Sequence, residues 1–279
     1  MRRPILALLA ALALLVGLAG PSQSAPGEDR GTRWYLALGD SLGTGYQPDQ
    51  GDDLTGGYAG GVRDSLLADG TKARLRNLSC SGETVVTMVH GGRCAYGQGN
   101  QLDAATQFLR AHAGKVELVT IDIGANDVQT CASGTSVDVA CIEAGLRDVA
   151  TLLPVILGEL RAAAGPDTQL VVVDYYNPFL SAWLTGQAGQ DLARLSSVLQ
   201  DMLNGVIARE ADEVDADLAE VSEAFRSDDW TLTTLPGVGV VPTNVATICG
   251  LTWMCLRQDI HANDAGYAVM AETVAAVLD

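Results

Sequence analysis

The run Val116-Glu117-Leu118-Val119-Thr120-Ile121-Asp122-Ile123, stopped by Gly124 and followed by Ala125-Asn126-Asp127, decides the fold. So many β-branched and apolar residues in one short run, bounded by glycine, read as a strand buried on both faces. Outward from it the chain alternates between two periods. Trp34 to Leu38 is a second buried run of the same kind, ending at Gly39. Ala73 to Leu78 alternates apolar and polar, Leu170 to Tyr175 reads LVVVDY, and Asp217 to Val221 is a fifth strand candidate. Between these lie segments with helical spacing: Tyr58 to Leu67, Leu102 to His112, Ile142 to Ala164, Leu192 to Ala211 and Ala265 to Leu278. Pro154 is expected to kink or divide the third of them. Asn263 or Asp264 is placed to cap the last. Strands alternating with helices predict an α/β protein of three layers, α/β/α, with a parallel five-stranded sheet.

In such a sheet of flavodoxin-like order, ligands sit at the carboxyl ends of the strands. The crevice lies where the first and third strands are neighbours and the winding reverses. The residues just past the first strand are Asp40 and Ser41; those just past the third are Gly124 to Asp127. Two polar clusters therefore converge where this architecture places chemistry.

Bulk properties narrow the classes. Arg2 and Arg3 precede an apolar stretch from Ile5 to Leu18 and then small and polar residues up to Ala25. That order is expected of a secretory signal peptide covering about residues 1–25, cleaved after Ala19, Ser24 or Ala25. A membrane span needs roughly 20 apolar residues, so stable membrane insertion is not expected. Residues 26–279 then form one domain of ordinary size. The net charge of −17 opposes contact with phosphate backbones and argues against nucleic-acid binding. Six cysteines behind a leader favour disulfides over metal ligands. Many pairings are possible; the simplest joins neighbours, Cys80 with Cys94, Cys131 with Cys141 and Cys249 with Cys255.

Ser41 lies in Gly39-Asp40-Ser41-Leu42-Gly43, where small neighbours permit a sharp turn and leave the hydroxyl accessible. The pattern also fits the Gly-x-Ser-x-Gly elbow of the α/β-hydrolases, but that elbow normally follows several strands, and this one follows the first. A serine hydroxyl needs a base. The chain has three histidines. His112 ends a predicted helix, and His90 falls beside Gly91 and Gly92 in a predicted loop. His261, in Asp259-Ile260-His261-Ala262-Asn263, immediately precedes the last helix, which can hold it over the strand ends.

Four blocks now resemble the SGNH (GDSL) hydrolases in family order: Gly39-Asp40-Ser41-Leu42, Ser81-Gly82-Glu83-Thr84, Gly124-Ala125-Asn126-Asp127 and Asp259-Ile260-His261. The neighbour-paired cysteines are similar to those of secreted actinobacterial members. The resemblance implies Ser41 as nucleophile and His261 as its general base. It also implies an oxyanion hole built from the Ser41 N–H, the Gly82 N–H and the Asn126 side-chain amide.

One departure stands out. The family's last block places an acid three residues before the histidine, and here that position is Gln258. Asp259, two residues before His261, reaches the imidazole if the backbone turns. Otherwise a carbonyl near Gln258 orients the ring and the site is a Ser–His dyad. No His-x-x-x-His pair, zinc-spaced cysteine pair or phosphate loop occurs, so no metal or cofactor is expected.

The expected activity is hydrolysis of carboxylic esters, lipid or short-chain, by a secreted monomer. Thr231 to Trp253, together with Tyr175 to Phe179, is expected to line an acyl-binding surface. An acetyl esterase acting on polysaccharide is the alternative reading. A non-catalytic lipid- or glycan-binding module on the same fold is the third.

Overall fold

The computed structural model describes residues 31, 33–133 and 136–278. The expected signal peptide, residues 1–25, lies outside the described residues. Five parallel strands form the main sheet: β1 (Arg33–Gly39), β2 (Ala73–Asn77), β3 (Val116–Asp122), β4 (Gln169–Val173) and β5 (Asp217–Ala219). Their spatial order is β2-β1-β3-β4-β5, so the winding reverses between β1 and β3.

Burial explains why the strands read as continuous apolar runs. Tyr35 to Leu38 in β1 and Leu118 to Ile121 in β3 are buried, because helices cover both faces of the sheet. Each fully buried Leu or Ile there contributes roughly 1.5–3 kcal/mol relative to exposure. Helix α1 (Gly57–Ala68) packs against the last helix (Asp264–Ala275). Helix α2 (Val85–His90) and helix α3 (Gln101–Ala111) pack against α5 (Val139–Ala164), which follows the short α4 (Ala125–Gln129). A 3-10 segment (Pro178–Thr185) leads into α6 (Gln187–Asp212) and lies along it.

Two expectations are corrected, and the structure chooses between the two caps offered for the last helix. Pro154 does not divide its segment: α5 runs as one 26-residue helix with the proline inside it. Its apolar face, including Val149, Leu153, Ile156 and Leu160, is buried, and that packing outweighs one lost backbone hydrogen bond. His90 is not in a loop but ends α2, whose first turn is closed by a reciprocal Thr84–Thr87 capping box. The cap of the last helix is Asn263, whose side chain accepts from the Gly266 N–H. Asp264 instead lies in the first turn and accepts from the Gln47 amide at 3.3 Å. No helix among the described residues is long and apolar enough to cross a membrane.

The register carries the fold into the site. Gly39 of β1 pairs with Asp122 of β3, so both chains leave the sheet at the same level. The turn after Gly39 therefore stands beside the turn after Asp122.

Candidate active site

Gly39 makes the first turn possible. Its φ is +128°, and a Cβ there would stand 2.1 Å from the Asp122 carbonyl oxygen. Only glycine accepts both the dihedral and the approach. The chain then turns through Ser41, whose Oγ lies 2.8 Å from His261 Nε2.

The histidine arrives by a different device. A short helix (Met254–Arg257) ends at Gln258, whose φ of +56° puts it in the left-handed region. That reversal brings Asp259 Oδ1 to 3.0 Å from the His261 backbone N–H and 2.7 Å from its Nδ1. One carboxylate thus closes an Asx turn and holds the ring. With Nδ1–H donated to Asp259, Nε2 is left to accept from the Ser41 hydroxyl. Tyr176 O–H donates to the Ile260 carbonyl at 2.8 Å, and the Trp253 N–H donates to the His261 carbonyl at 3.0 Å. The Tyr46 ring lies 4.3 Å from the imidazole, centre to centre.

Gly82 and Asn126 sit on the neighbouring turns. Gly82 has φ +78°, and a Cβ there would run into the Arg93 guanidinium. Among the described residues, the Ser41 and Gly82 N–H groups donate to no protein acceptor. The Asn126 amide nitrogen donates to Asp40 Oδ2 at 3.2 Å and to the Glu83 carbonyl at 2.9 Å. It therefore ties the second block to the first.

A buried acidic pair underlies this arrangement. Asp40 is 2 % exposed and accepts from the Leu42 N–H at 3.0 Å and the Tyr175 O–H at 2.8 Å. Asp122, fully buried, accepts from Tyr58 O–H at 2.5 Å and the Gly43 N–H at 3.1 Å. Burial first, and the Asp40 charge second, push the Asp122 carboxyl well above the usual carboxylate range. Burial likewise raises the Asp40 carboxyl, while Asp122, the Leu42 N–H and Tyr175 support its charged form. Gln101, also fully buried, grips the Gly39 N–H at 2.8 Å and the Gly39 carbonyl at 3.0 Å, which holds the end of β1 in place.

The model of the GDSL-like lipase/acylhydrolase family matches residues 37–269, a span that contains all of these groups. The chain belongs to that family. It is a carboxylic ester hydrolase of the serine type. Among solved structures it is similar to a catalytic mutant of an acetylxylan esterase from Geobacillus stearothermophilus, with TM-score 0.54 and 18% identity over 87% of this chain and 92% of that one. It is also similar to an extracellular lipase from Streptomyces rimosus, with TM-score 0.52 and 18% identity over 88% of this chain and 99% of that one. At such identities these likenesses concern the fold. No curated protein sequence matches significantly.

In this GDSL-like hydrolase, Ser41 and His261 open onto a cleft. Its walls come from Tyr175 to Phe179, as expected, and from places that sequence reading passed over. Leu192, Leu199 and Leu203 of α6 form one side, and Val128, Val137 and Ile142 another. Thr231 to Trp253 contributes none of the lining residues. It folds instead as a hairpin (Leu232–Leu235 with Gly239–Pro242) followed by a helix (Thr243–Leu251). There Val241, Val245 and Ile248 are buried in the core, which explains the apolar composition.

The three disulfides join Cys80–Cys94, Cys131–Cys141 and Cys249–Cys255. Of the other histidines, His112 bonds the Phe108 carbonyl at 2.8 Å and stacks on the Phe108 ring. His90 is exposed. Tyr46 and Gln101 are site residues that sequence reading missed, and the bond between Asp40 and Tyr175, both placed near the site by the sequence, was not legible either. Neither Tyr46 nor Gln101 carried a signal.

Proposed function

We propose that this enzyme hydrolyses esters through a seryl acyl-enzyme, with Ser41 as nucleophile, His261 as general base and Asp259 as the acid that orients the imidazole. The observation that carries the reading is the unbroken hydrogen-bond chain Asp259–His261–Ser41 at the wall of an apolar cleft. Ser41 Oγ attacks the ester carbonyl as His261 Nε2 takes its proton. Asp259 stabilises the imidazolium so formed. The carbonyl oxygen becomes an oxyanion held by the N–H groups of Ser41 and Gly82 and by Asn126 Nδ2. Asn126 would share with it the long bond now given to Asp40. Collapse expels the alcohol with the proton from His261, and a water repeats the cycle in reverse to release the acid.

The cleft favours an apolar acyl group over acetate, since its lining is mostly aliphatic and aromatic, with Gln129, Ser196 and Gln200 the polar side chains besides the reacting residues. An acetyl group would leave most of that wall unused. The leader-like residues 1–25 and the three disulfides support export, with a single catalytic domain following.

The test pairs a fluorophosphonate probe with p-nitrophenyl esters from acetate to palmitate, applied to the wild type and Ser41→Ala. The wild type is expected to be labelled and to prefer esters longer than acetate; Ser41→Ala is expected to show neither labelling nor turnover. A labelled Ser41→Ala protein, or an unlabelled and inactive wild type, refutes the assignment. Best activity on acetate, falling with chain length, would move the reading to an acetyl esterase.

A further inference from the structure

We propose that the wall built by Ala132, Val137 and Ile142, and braced by the Cys131–Cys141 disulfide, sets the length of acyl chain this enzyme accepts. The inference rests on Ser41 being the nucleophile, because the occupant of the cleft is then the acyl chain attached to it. Besides Tyr175, Tyr176, Pro178 and Phe179, the cleft has three kinds of wall. Asp40, Ser41 and His261 belong to the chemistry and leave no freedom for tuning. The α6 side belongs to a 26-residue helix, and Leu192 and Leu203 there are buried. The third wall is built differently at Ala132 and Val137, which stand in front of Ile142, itself buried on α5.

Ala132 and Val137 face each other across a ladder only two residues long on each side, apart from the main sheet. Both are half-buried rather than locked into the core. What holds them is local. The Asp138 N–H donates to the Cys131 carbonyl at 2.9 Å, and the Asp138 side chain caps α5 by accepting from the Cys141 N–H at 3.1 Å. The disulfide ties the two ends together, and Ile142 follows in the first turn of α5. A wall of this kind has two properties. Its side-chain volume can change without disturbing the sheet. Its position depends on the bridge, which encloses ten residues of sequence separation.

Each methylene of an acyl chain buried against such a wall changes the specificity constant about fourfold. A bulky residue at Val137 that removes room for two methylenes should lower the preference for a long over a short ester on the order of 15-fold. A smaller residue should raise it. Loss of the bridge frees the wall and should flatten the profile.

The experiment measures kcat/KM for soluble p-nitrophenyl butyrate and octanoate with wild type, Val137→Trp, Val137→Ala and the double variant Cys131→Ser/Cys141→Ser. The octanoate-to-butyrate ratio is expected to fall at least tenfold in Val137→Trp and rise in Val137→Ala. In the double variant it is expected to move toward one. If Val137→Trp fails to fold, Val137→Ala and the double variant carry the test. Changes that scale both esters by the same factor in every variant would overturn the assignment. Fluorophosphonate labelling separates the two levels: a wild type that labels, with an unmoved ratio in the variants, refutes the wall alone, whereas a wild type that does not label refutes the nucleophile.

Discussion

Replacing Asp259 tests the site where sequence and family pattern part company. In the proposed mechanism His261 takes the serine proton, and the imidazolium then faces Asp259 Oδ1 at 2.7 Å. A hydrogen bond to a charged group is worth about 1.5–3 kcal/mol. The Asp259 side chain is 25 % exposed, so water screens part of that gain. At about 1.4 kcal/mol per tenfold, Asp259→Ala should lower kcat by roughly 10- to 100-fold. Asp259→Asn adds a second penalty whenever its amide donates to Nδ1, because the proton then moves to Nε2 and the base is lost. That effect reaches about 10⁴ in a well-ordered triad. KM should stay within about twofold, since Asp259 is not among the residues lining the cleft.

The assay is initial-rate hydrolysis of p-nitrophenyl butyrate, with thermal unfolding measured in parallel. Losing the Asp259 bond to the His261 backbone N–H costs about 1 kcal/mol, or a few degrees in Tm. A variant that keeps its Tm within that margin and more than a third of wild-type turnover would refute the triad. The site would then be a Ser–His dyad oriented by the backbone.

Further expectations follow from neighbouring contacts. Tyr46→Leu removes the ring 4.3 Å from the imidazole and should lower kcat about two- to tenfold, the equivalent of about 0.5–1.5 kcal/mol, with Tyr46→Phe near wild type; equal losses in both would mean the hydroxyl, not the ring, matters. Asp127 accepts from the Val85 N–H at 3.1 Å, and burial pushes its carboxyl up to about 7. A carboxyl raised in the folded state contributes stability that is fully present below its unfolded pKa of about 3.8 and lost as pH rises through about 7. Asp127→Asn should therefore reduce the gain in Tm seen between pH 8 and pH 5, and an unchanged difference by calorimetry would discount this carboxyl. Removing the Cys80–Cys94 bridge as a serine pair should cost about 3 kcal/mol in urea unfolding, as expected for a closed loop of about 15 residues. A loss below about 1 kcal/mol would mean that the loop around Gly82 is held by its other contacts, such as the bond from Arg93 Nε to the Ser81 carbonyl.

The order of elements was legible in the residues because period and composition are local properties. The runs at Trp34–Leu38 and Val116–Ile123 declare buried strands without reference to anything distant. The spacing of blocks along the chain likewise marked Ser41, Gly82, Asn126 and His261. What the residues did not declare were contacts set by distant partners. The apolar stretch Thr231 to Trp253 looks the same whether it lines a cleft or fills a core. Its Val241, Val245 and Ile248 fill the core, and only packing decides that. Leu192, Leu199 and Leu203 recur at helical intervals on α6, but their facing wall lies some sixty residues earlier in the chain.

The sequence by itself determined the parallel α/β architecture, the end of the sheet that carries the chemistry and the serine and histidine that meet there. The tertiary structure decided which carboxylate meets the imidazole and which residues line the cleft. Asp259 reaches His261 because Gln258 adopts a left-handed conformation, a choice of one dihedral pair that residue type alone does not impose. Asp40 and Asp122 are both held above the usual carboxylate range because the register of β1 on β3 buries them together, and burial, not identity, raises a carboxyl's affinity for its proton.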